Sequence, residues 1–296
     1  MNWLIFALLS PVFWALTSIF DKFLISKVLY KTYFFPIWIA SFGLPLCIFI
    51  FIFFNPPFIF PYSIIAAFEG ILWMSYYYIF AKTLSNEEVS RTMSLIFIYP
   101  IFVTILAGIF LKEVFGISKY IGIGLLVMSG LLLSYKKEGK KIGIIKSLKL
   151  ILMLILIFSC IDVIDKFLVG KIGYWPLYFW TTAGLFLTVI PILFIKKIRT
   201  NFVNSFKKTG KKGFLALITS EIFAISGSIS YYIAISLTHV SVVAAIGSLQ
   251  PLFVLICTIF LSAFVPKFLK ENLNRRNILI KSVAVLFVLI GAWLLV

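Results

Sequence analysis

Long apolar runs dominate this chain, and short polar connectors separate them. Each run is close to the length of about 20 residues that a helix needs to cross the hydrocarbon of a bilayer. The runs predict spans at residues 2–26, 33–54, 62–83, 89–111, 118–135, 147–169, 174–195, 213–236, 240–264 and 277–296. Because the connectors are too short to hold a soluble domain, the pattern predicts an all-α polytopic membrane protein of about ten transmembrane helices.

Short sequences recur in the second half of the chain in the order that they have in the first. The matches are 21–25 (DKFLI) with 165–169 (DKFLV), 77–79 (YYI) with 231–233 (YYI), and 99–102 (YPIF) with 250–253 (QPLF). Each copy contains five predicted helices, an odd number, so the second copy must cross the membrane upside down. We therefore expect two inverted repeats, residues 1–135 and 147–296, joined by a basic cytoplasmic connector at 136–146.

The composition supports a membrane environment and argues against a nucleic-acid partner. Hydrophobic residues make up 62% of the chain and charged residues 12%, too few polar groups to cover a soluble globular surface. The net charge of +17 comes from short lysine clusters between apolar runs, which suit connectors that face an anionic leaflet. The three cysteines are isolated in apolar segments, so we expect neither a metal site nor a cofactor.

The distribution of Lys and Arg predicts the orientation of the chain. Of the 27 such residues, all but Lys112, Lys119, Lys166 and Lys171 fall on one side of the predicted spans. The positive-inside rule assigns that side to the cytoplasm and both termini to the outside. We expect an integral protein of the plasma membrane.

Ordered motifs in both halves resemble the EamA-type domain of the drug/metabolite transporter superfamily. The residues that carry the resemblance are Trp14-Ala15 and Lys22, Ser90 to Pro100, Glu113, Gly122, Gly124 and Gly130, and in the second half Ser241 to Pro251, Glu271 and Gly291. Two departures stand out, Ala15 where the family has Gly and Phe158-Ser159 where it has Trp-Gly. The resemblance implies two EamA domains, ten helices, alternating access and a central cavity for amino acids, metabolites or drugs.

The expected function is secondary transport, with export of a small metabolite such as an amino acid, amine or drug-like solute. A lipid or lipid-linked-sugar flippase of the same fold is the alternative. An integral-membrane enzyme fits less well, because the one histidine, His239, has no Cys or carboxylate cluster beside it. The expected partners are the solute and the bilayer; coupling protons and a homo-oligomer stay open.

Charged residues inside the predicted spans are candidates for the transport site, because burying a charge in a membrane is costly. Glu69 and Glu221 lie in the third helix of each half. Either could line the cavity, bind a cationic group or take up a coupling proton, or be hydrogen-bonded to a neighbouring helix. Lys22 and Lys166 face the cavity from opposite ends or reach the headgroups, and Asp162, one turn away, is a local partner for Lys166.

Aromatic and proline residues complete the set of candidates. An aromatic cavity wall able to hold cationic or amphipathic solutes is predicted from Trp14, Trp73 and the Tyr76-Tyr77-Tyr78 run, and Tyr231 is a further cavity candidate. Pro100 and Pro251 lie in the fourth helix of each half. Each removes a backbone hydrogen bond, so they are predicted to act as gating hinges or as static kinks.

Overall fold

The computed structural model describes residues 2–24, 34–86, 95–134, 148–254, 256–257 and 275–295. Throughout these ranges the regular elements are helices. They are α1 (Asn2–Phe23), α2 (Phe35–Phe54), α3 (Tyr62–Asn86), α4 (Tyr99–Phe110), α5 (Ile117–Ser134), α6 (Leu148–Ile172), α7 (Tyr174–Phe194), α8 (Lys196–Leu237), α9 (Val240–Gly247) and α10 (Arg275–Leu295). The prediction of an all-α polytopic membrane protein is confirmed. The connector 136–146, Ser90, Glu271 and the side chain of Lys22 lie outside the described residues.

Five of the described helices are long and apolar enough to cross a membrane by themselves. They include Trp3–Asp21, Phe35–Phe54, Tyr62–Thr83, Tyr174–Phe194 and Thr209–Leu237, and shorter apolar helices occupy four more of the predicted spans. The predicted span at 147–169 is in neither group, although α6 is 25 residues long. Its central charges, Asp162, Asp165 and Lys166, lower its hydropathy, and the helix is enclosed by α3, α4, α7 and α8.

Two predicted spans are interrupted rather than continuous. A turn at Phe97-Ile98 precedes α4, and a turn at Ser248-Leu249 follows α9. Pro100 and Pro251 therefore lie in the first turn of a new helical segment. Backbone N–H groups there have no partner within the helix, so the N–H that proline lacks costs no helical hydrogen bond. The prediction of Pro inside an unbroken fourth helix was wrong. Residues 89–94 and 258–264 of these spans lie outside the described residues.

Helix α8 also differs from its predicted span. It begins at Lys196 rather than at 213, so the basic stretch at 196–212 is helical where a connector was predicted. Gly210 divides this helix with φ of 65° and ψ of 170°, a conformation that glycine adopts without steric cost. The segment before this break carries the basic residues, and the apolar segment after it enters the bundle.

The helices contact one another in pairs that a two-fold relation between the halves would produce. Helix α1, the first helix of the first half, packs on α8, the third helix of the second half. The corresponding pair, α6 as the first helix of the second half and α3 as the third helix of the first, also packs together. The second helices α2 and α7, the fourth helices α4 and α9, and the fifth helices α5 and α10 contact their own counterparts. The pairings are unequal: α3 packs closely along α7, whereas α8 touches α2 only lightly, and α1 packs on α8 more extensively than α6 packs on α3.

Glycines allow the closest of these helix contacts. Gly70 of α3 and Gly184 of α7 each lie so near the other helix that an added Cβ would overlap its backbone, at Thr181 and Ala67 respectively. Small residues of this kind allow helices to associate through close van der Waals packing in lipid, where the hydrophobic effect does not drive apolar helix surfaces together. The close approach of α3 to α7 therefore depends on these two positions.

We expect Gly184→Ala to destabilise the protein, because its methyl group would meet the backbone of Ala67. Overpacking of this kind costs about 1–3 kcal/mol in the free energy of unfolding. Gly124→Ala is the matched control, since a Cβ at that helical glycine meets nothing within 4 Å. Denaturant unfolding in detergent should separate the two variants, and equal midpoints would contradict the contact.

Candidate functional site

Aromatic side chains from both halves meet at the centre of the bundle. The ring centroids of Trp14 on α1 and Tyr231 on α8 are 5.5 Å apart. The ring centroid of Phe158 on α6 lies 4.5 Å from that of Tyr99 on α4 and 5.8 Å from that of Trp73 on α3. Trp14, Trp73 and Phe158 are half-buried, whereas Tyr99 and Tyr231 are buried. The aromatic wall predicted from the sequence therefore lies where the two halves meet.

Two buried carboxyl groups from opposite halves contact each other beside this wall. Glu69 of α3 and Asp165 of α6 are both 1% exposed, and their carboxyls lie within hydrogen-bonding reach of one another. Glu69 Oε1 accepts a hydrogen bond of 3.2 Å from Trp73 Nε1, and the Tyr232 hydroxyl reaches Asp165. No donor from another residue reaches Glu69 Oε2 or Asp165 Oδ1. A hydrogen bond between two carboxyls requires a proton on one of them.

A third carboxyl, that of Asp162, lies one turn before Asp165 on the same helix. It is 1% exposed and faces the hydroxyl of Tyr231. Asp162 Oδ2 and the Tyr231 hydroxyl are both buried, and the two groups lie within hydrogen-bonding reach of each other. Buried polar atoms are normally paired, and here each group supplies the other's partner.

A second pair of acids lies further along α1 and α8. Asp21 Oδ1 accepts a hydrogen bond of 2.8 Å from the Ser220 hydroxyl, and Glu221 is close enough to interact with Asp21. Both acids are half-buried rather than buried. Tyr77, which stacks on Trp73 with 5.4 Å between ring centroids, lies near both carboxyls. Tyr77 therefore connects the second acid pair with the aromatic wall.

The two acid pairs occupy corresponding places in the sequence repeat. Asp21 and Asp165 open the repeated DKFL segment, and each faces an acid in the third helix of the other half. Asp165 faces Glu69, while Asp21 faces Ser220 and Glu221. The sequence predicted the two glutamates as candidates but gave neither aspartate a partner, because nothing in a linear pattern pairs α1 with α8 or α6 with α3.

Lys166 does not face the acid cluster. Its Nζ donates hydrogen bonds of 2.6 Å and 2.7 Å to the carbonyls of Ile235 and Thr238, at the carboxyl end of α8. A cation is favourable there because the final carbonyls of a helix are unpaired and its dipole is negative. The predicted placement of Lys166 in the cavity was wrong for this reason, as was its predicted partnership with Asp162.

Glu113, which the sequence supplied only as part of a motif, holds the turn between α8 and α9. Its Oε1 accepts a hydrogen bond of 2.9 Å from the Val240 amide. Its Oε2 accepts bonds from the Ser241 amide at 3.2 Å and the Ser241 hydroxyl at 2.7 Å. The carboxylate thus caps the amino end of α9, which lies 127 residues away in the chain.

No group of three or more His, Cys, Asp or Glu side chains with a geometry to hold a metal ion occurs in the part of the chain that the structure describes. The carboxyls of Glu69 and Asp165 lie within hydrogen-bonding reach of each other, and Asp162 is close enough to interact with both. Two apolar grooves lie on the surface of the bundle, one between α3 and α7 and one between α4 and α5. Neither groove is lined by an acidic residue.

We expect Glu113→Ala to destabilise the protein strongly, because it leaves the Val240 and Ser241 amides buried without an acceptor. Hydrogen bonds to a charged group contribute about 1.5–3 kcal/mol each, so the loss should be about 2–4 kcal/mol. Glu113→Gln keeps one side-chain acceptor and should lose less. Unfolding midpoints for the two variants test the cap, and a stable Glu113→Ala protein would refute it.

Comparisons with known proteins address the family and the fold. The model of the EamA-like transporter family matches residues 1–135. No curated protein matches the chain. Among 27 matching chains of solved structures, one entitled "Crystal structure of protein" has a TM-score of 0.72 at 10% sequence identity. The match covers 99% of this chain and 96% of that one; at such an identity it concerns the fold alone.

Proposed function

Because the model of the EamA-like transporter family matches residues 1–135, we propose that this membrane protein belongs to that family and is a secondary transporter that exports a small metabolite. Residues 147–296 form a second EamA-like repeat, inverted relative to the first. Rocking of the two halves exposes a central site to each side of the membrane in turn. The basic loops are cytoplasmic, and both termini lie outside the cell.

The twin acid pairs are the observation that supports this proposal most directly. Glu69 and Asp165 are buried in contact, whereas Asp21 and Glu221 are half-buried. Because the second repeat is inverted, α1 and α6 cross the membrane in opposite directions. The two acid pairs therefore lie toward opposite faces of the membrane. One closed pair and one more open pair are what a single end state of an alternating-access cycle requires.

Helix packing is also unequal between the halves, although the α1–α8 contact beside Asp21 and Glu221 is more extensive than the α3–α6 contact. Gly70 and Gly184 bring α3 and α7 into backbone contact, while the corresponding pair, α8 and α2, is only lightly packed. The two repeats have similar packing surfaces. A bundle that does not change conformation is therefore expected to pack its helices equally closely on both sides. The inequality supports a molecule in one of two interconvertible arrangements.

The acid pairs also suggest how protons drive the cycle. Two carboxylates cannot be brought together in an apolar interior unless a proton lies between them. Closing either pair therefore takes up a proton, and opening it releases one to the side it faces. Each pair exchanges its proton with the side that it faces, so a pH difference across the membrane would favour closure on the more acidic side.

The same acids favour a polar solute over a lipid. A flippase of this fold needs a lateral path for acyl chains, and the α3–α7 groove would be its entrance. That groove is lined almost entirely by apolar side chains, and the backbone contact at Gly184 lies in its wall. The flippase is the second candidate, and the buried carboxyls have no role in it.

Alternating access predicts that a residue between the halves is reachable from both sides of the membrane. Ser18 lies on α1 between Trp14 and Asp21, and its hydroxyl accepts a hydrogen bond of 2.9 Å from Gln250 of the other half. In a variant without Cys47, Cys160 and Cys257, a membrane-impermeant maleimide should label Ser18→Cys in proteoliposomes from either side. Labelling from one side only, at every pH, would count against the mechanism.

Proton coupling predicts that the labelling from each side changes with pH and that the change needs the buried pair. The neutral amide of Glu69→Gln can be buried beside Asp165 without the uptake of a proton. This variant should therefore flatten the pH dependence of Ser18→Cys labelling. Glu221→Gln should do the same for the other pair. Glu113→Gln is the matched control, since it changes a buried carboxyl outside the pathway. Unchanged profiles in both pathway variants would remove these acids as proton carriers.

A further inference from the structure

A basic helix, residues 196–209 of α8, lies before the break at Gly210 and takes no part in the acid pairs. Residues 196–212 contain seven Lys or Arg residues and neither Asp nor Glu. Three cations in its first turn, Lys196, Lys197 and Arg199, have exposed side chains and form a basic cluster. Lys196 and Arg199 are neighbours on the helix surface, where like charges repel. An anion bound beside them would relieve this repulsion.

Another face of the basic helix packs on the protein. Ile198 and Phe202 lie one turn apart and pack against the buried core. The ring centroid of Phe202 is 5.8 Å from that of Phe34 and 5.4 Å from that of Trp38 on α2, and these two partners are 0% and 1% exposed. Because successive residues point about 100° apart around a helix, the basic cluster lies off this packed face. It stays accessible while the helix is held on the bundle.

Both ends of the basic helix are joined to segments that can span the membrane. Helix α7 ends at Phe194, just before the basic cluster, and the next apolar segment of spanning length begins at Thr209. The backbone between them is helical and therefore about 20 Å long. A helix with both of its ends at the level of the headgroups lies along the membrane surface.

Anionic phospholipid headgroups match this surface in charge and in position. Lys and Arg donate strong hydrogen bonds to phosphate oxygens, and about four to eight basic residues beside a spanning helix are typical of segments that bind anionic lipids. A soluble acidic protein would meet the same charges, but it would have to displace headgroups that already lie beside the basic helix. Position therefore favours the lipid.

On these grounds we propose that the basic cluster and Lys211 bind the phosphate groups of anionic phospholipids in the adjoining leaflet. Lys211 follows the break at Gly210 and is also exposed. Because Phe202 contacts both Phe34 and Trp38, a lipid bound to the basic helix is linked through that ring to α2 of the other half. Bound lipid thus stabilises the contact between α8 and α2, which is otherwise light. The surface lies outside the transport pathway and its role does not depend on the transport cycle.

Two lipids with the same acyl chains test the charge selectivity. Phosphatidylglycerol is anionic and phosphatidylcholine is zwitterionic. Titration of the full chain in a neutral detergent, followed by microscale thermophoresis, should give at least about tenfold tighter binding of phosphatidylglycerol. Added salt should weaken that binding, because exposed charges are screened. Equal affinity for the two lipids, or competition by equimolar inorganic phosphate, would overturn the proposal.

Variants assign the selectivity to the basic cluster. Lys196→Gln combined with Arg199→Gln should weaken phosphatidylglycerol binding about tenfold, since each cation near an anionic surface adds to the attraction. Lys112→Gln combined with Lys171→Gln is the matched control, because it removes two exposed lysines from the other side of the predicted spans. It should bind as the wild type does. Equal losses in the two double variants, or no loss in the first, would refute the site.

A change at Phe202 separates the attachment of the helix from the binding of lipid. A ligand stabilises a protein only as far as it binds the folded form better than the unfolded one. Phosphatidylglycerol should therefore raise the Tm of the wild type, but raise it less in Phe202→Ala, whose basic helix no longer contacts Phe34 and Trp38. Val203→Ala, on the exposed face, is the control and should keep the full rise. The same rise in both variants would contradict the link to α2.

Discussion

The cost of burying carboxyl groups away from water is the constraint on which this structure depends. Glu69, Asp162 and Asp165 are each 1% exposed inside a bundle whose exterior suits lipid. In such surroundings an unpaired carboxylate costs far more than it does in water, so the acids must share protons, accept hydrogen bonds or bind a cation. The arrangement of α3, α6 and α8 around them follows from that requirement, since each helix contributes a group that the others need.

Pairing acids across the two halves links chemistry to motion. Glu69 belongs to the first half and Asp165 to the second, so in the proposed alternating-access cycle their contact exists only while the halves are closed on that side. In that proposal, separation exposes both groups to water, where the charged forms are favourable. The proposed cycle therefore makes the protonation state and the relative position of the halves parts of one equilibrium, in which the backbone contact at Gly70 and Gly184 favours closure on that side.

Much of the fold was predictable, because apolar run length and repeat order are visible in a linear sequence. Interruptions were not: the turns at Phe97-Ile98 and Ser248-Leu249 lie in runs that stay apolar on both sides. Glu69, Trp14, Trp73, Tyr77 and Tyr231 were predicted as site candidates and do come together near the centre. The partnership of Glu69 with Asp165, by contrast, depends on which helices touch, and hydropathy carries no information about that.

The misplacement of Lys166 illustrates how local spacing misleads in a membrane protein. Asp162 and Lys166 are four residues apart on one helix, a spacing at which opposite charges commonly interact. The end of α8 offers Lys166 two unpaired carbonyls instead, and its ammonium group donates to both. With Glu113 capping the start of α9 on the other side of the same turn, the two nearby charges are committed to fixing a helix junction. Asp162 lies instead beside the Tyr231 hydroxyl and the Glu69–Asp165 pair, so a local spacing that suggested an ion pair within α6 gives way to contacts between helices.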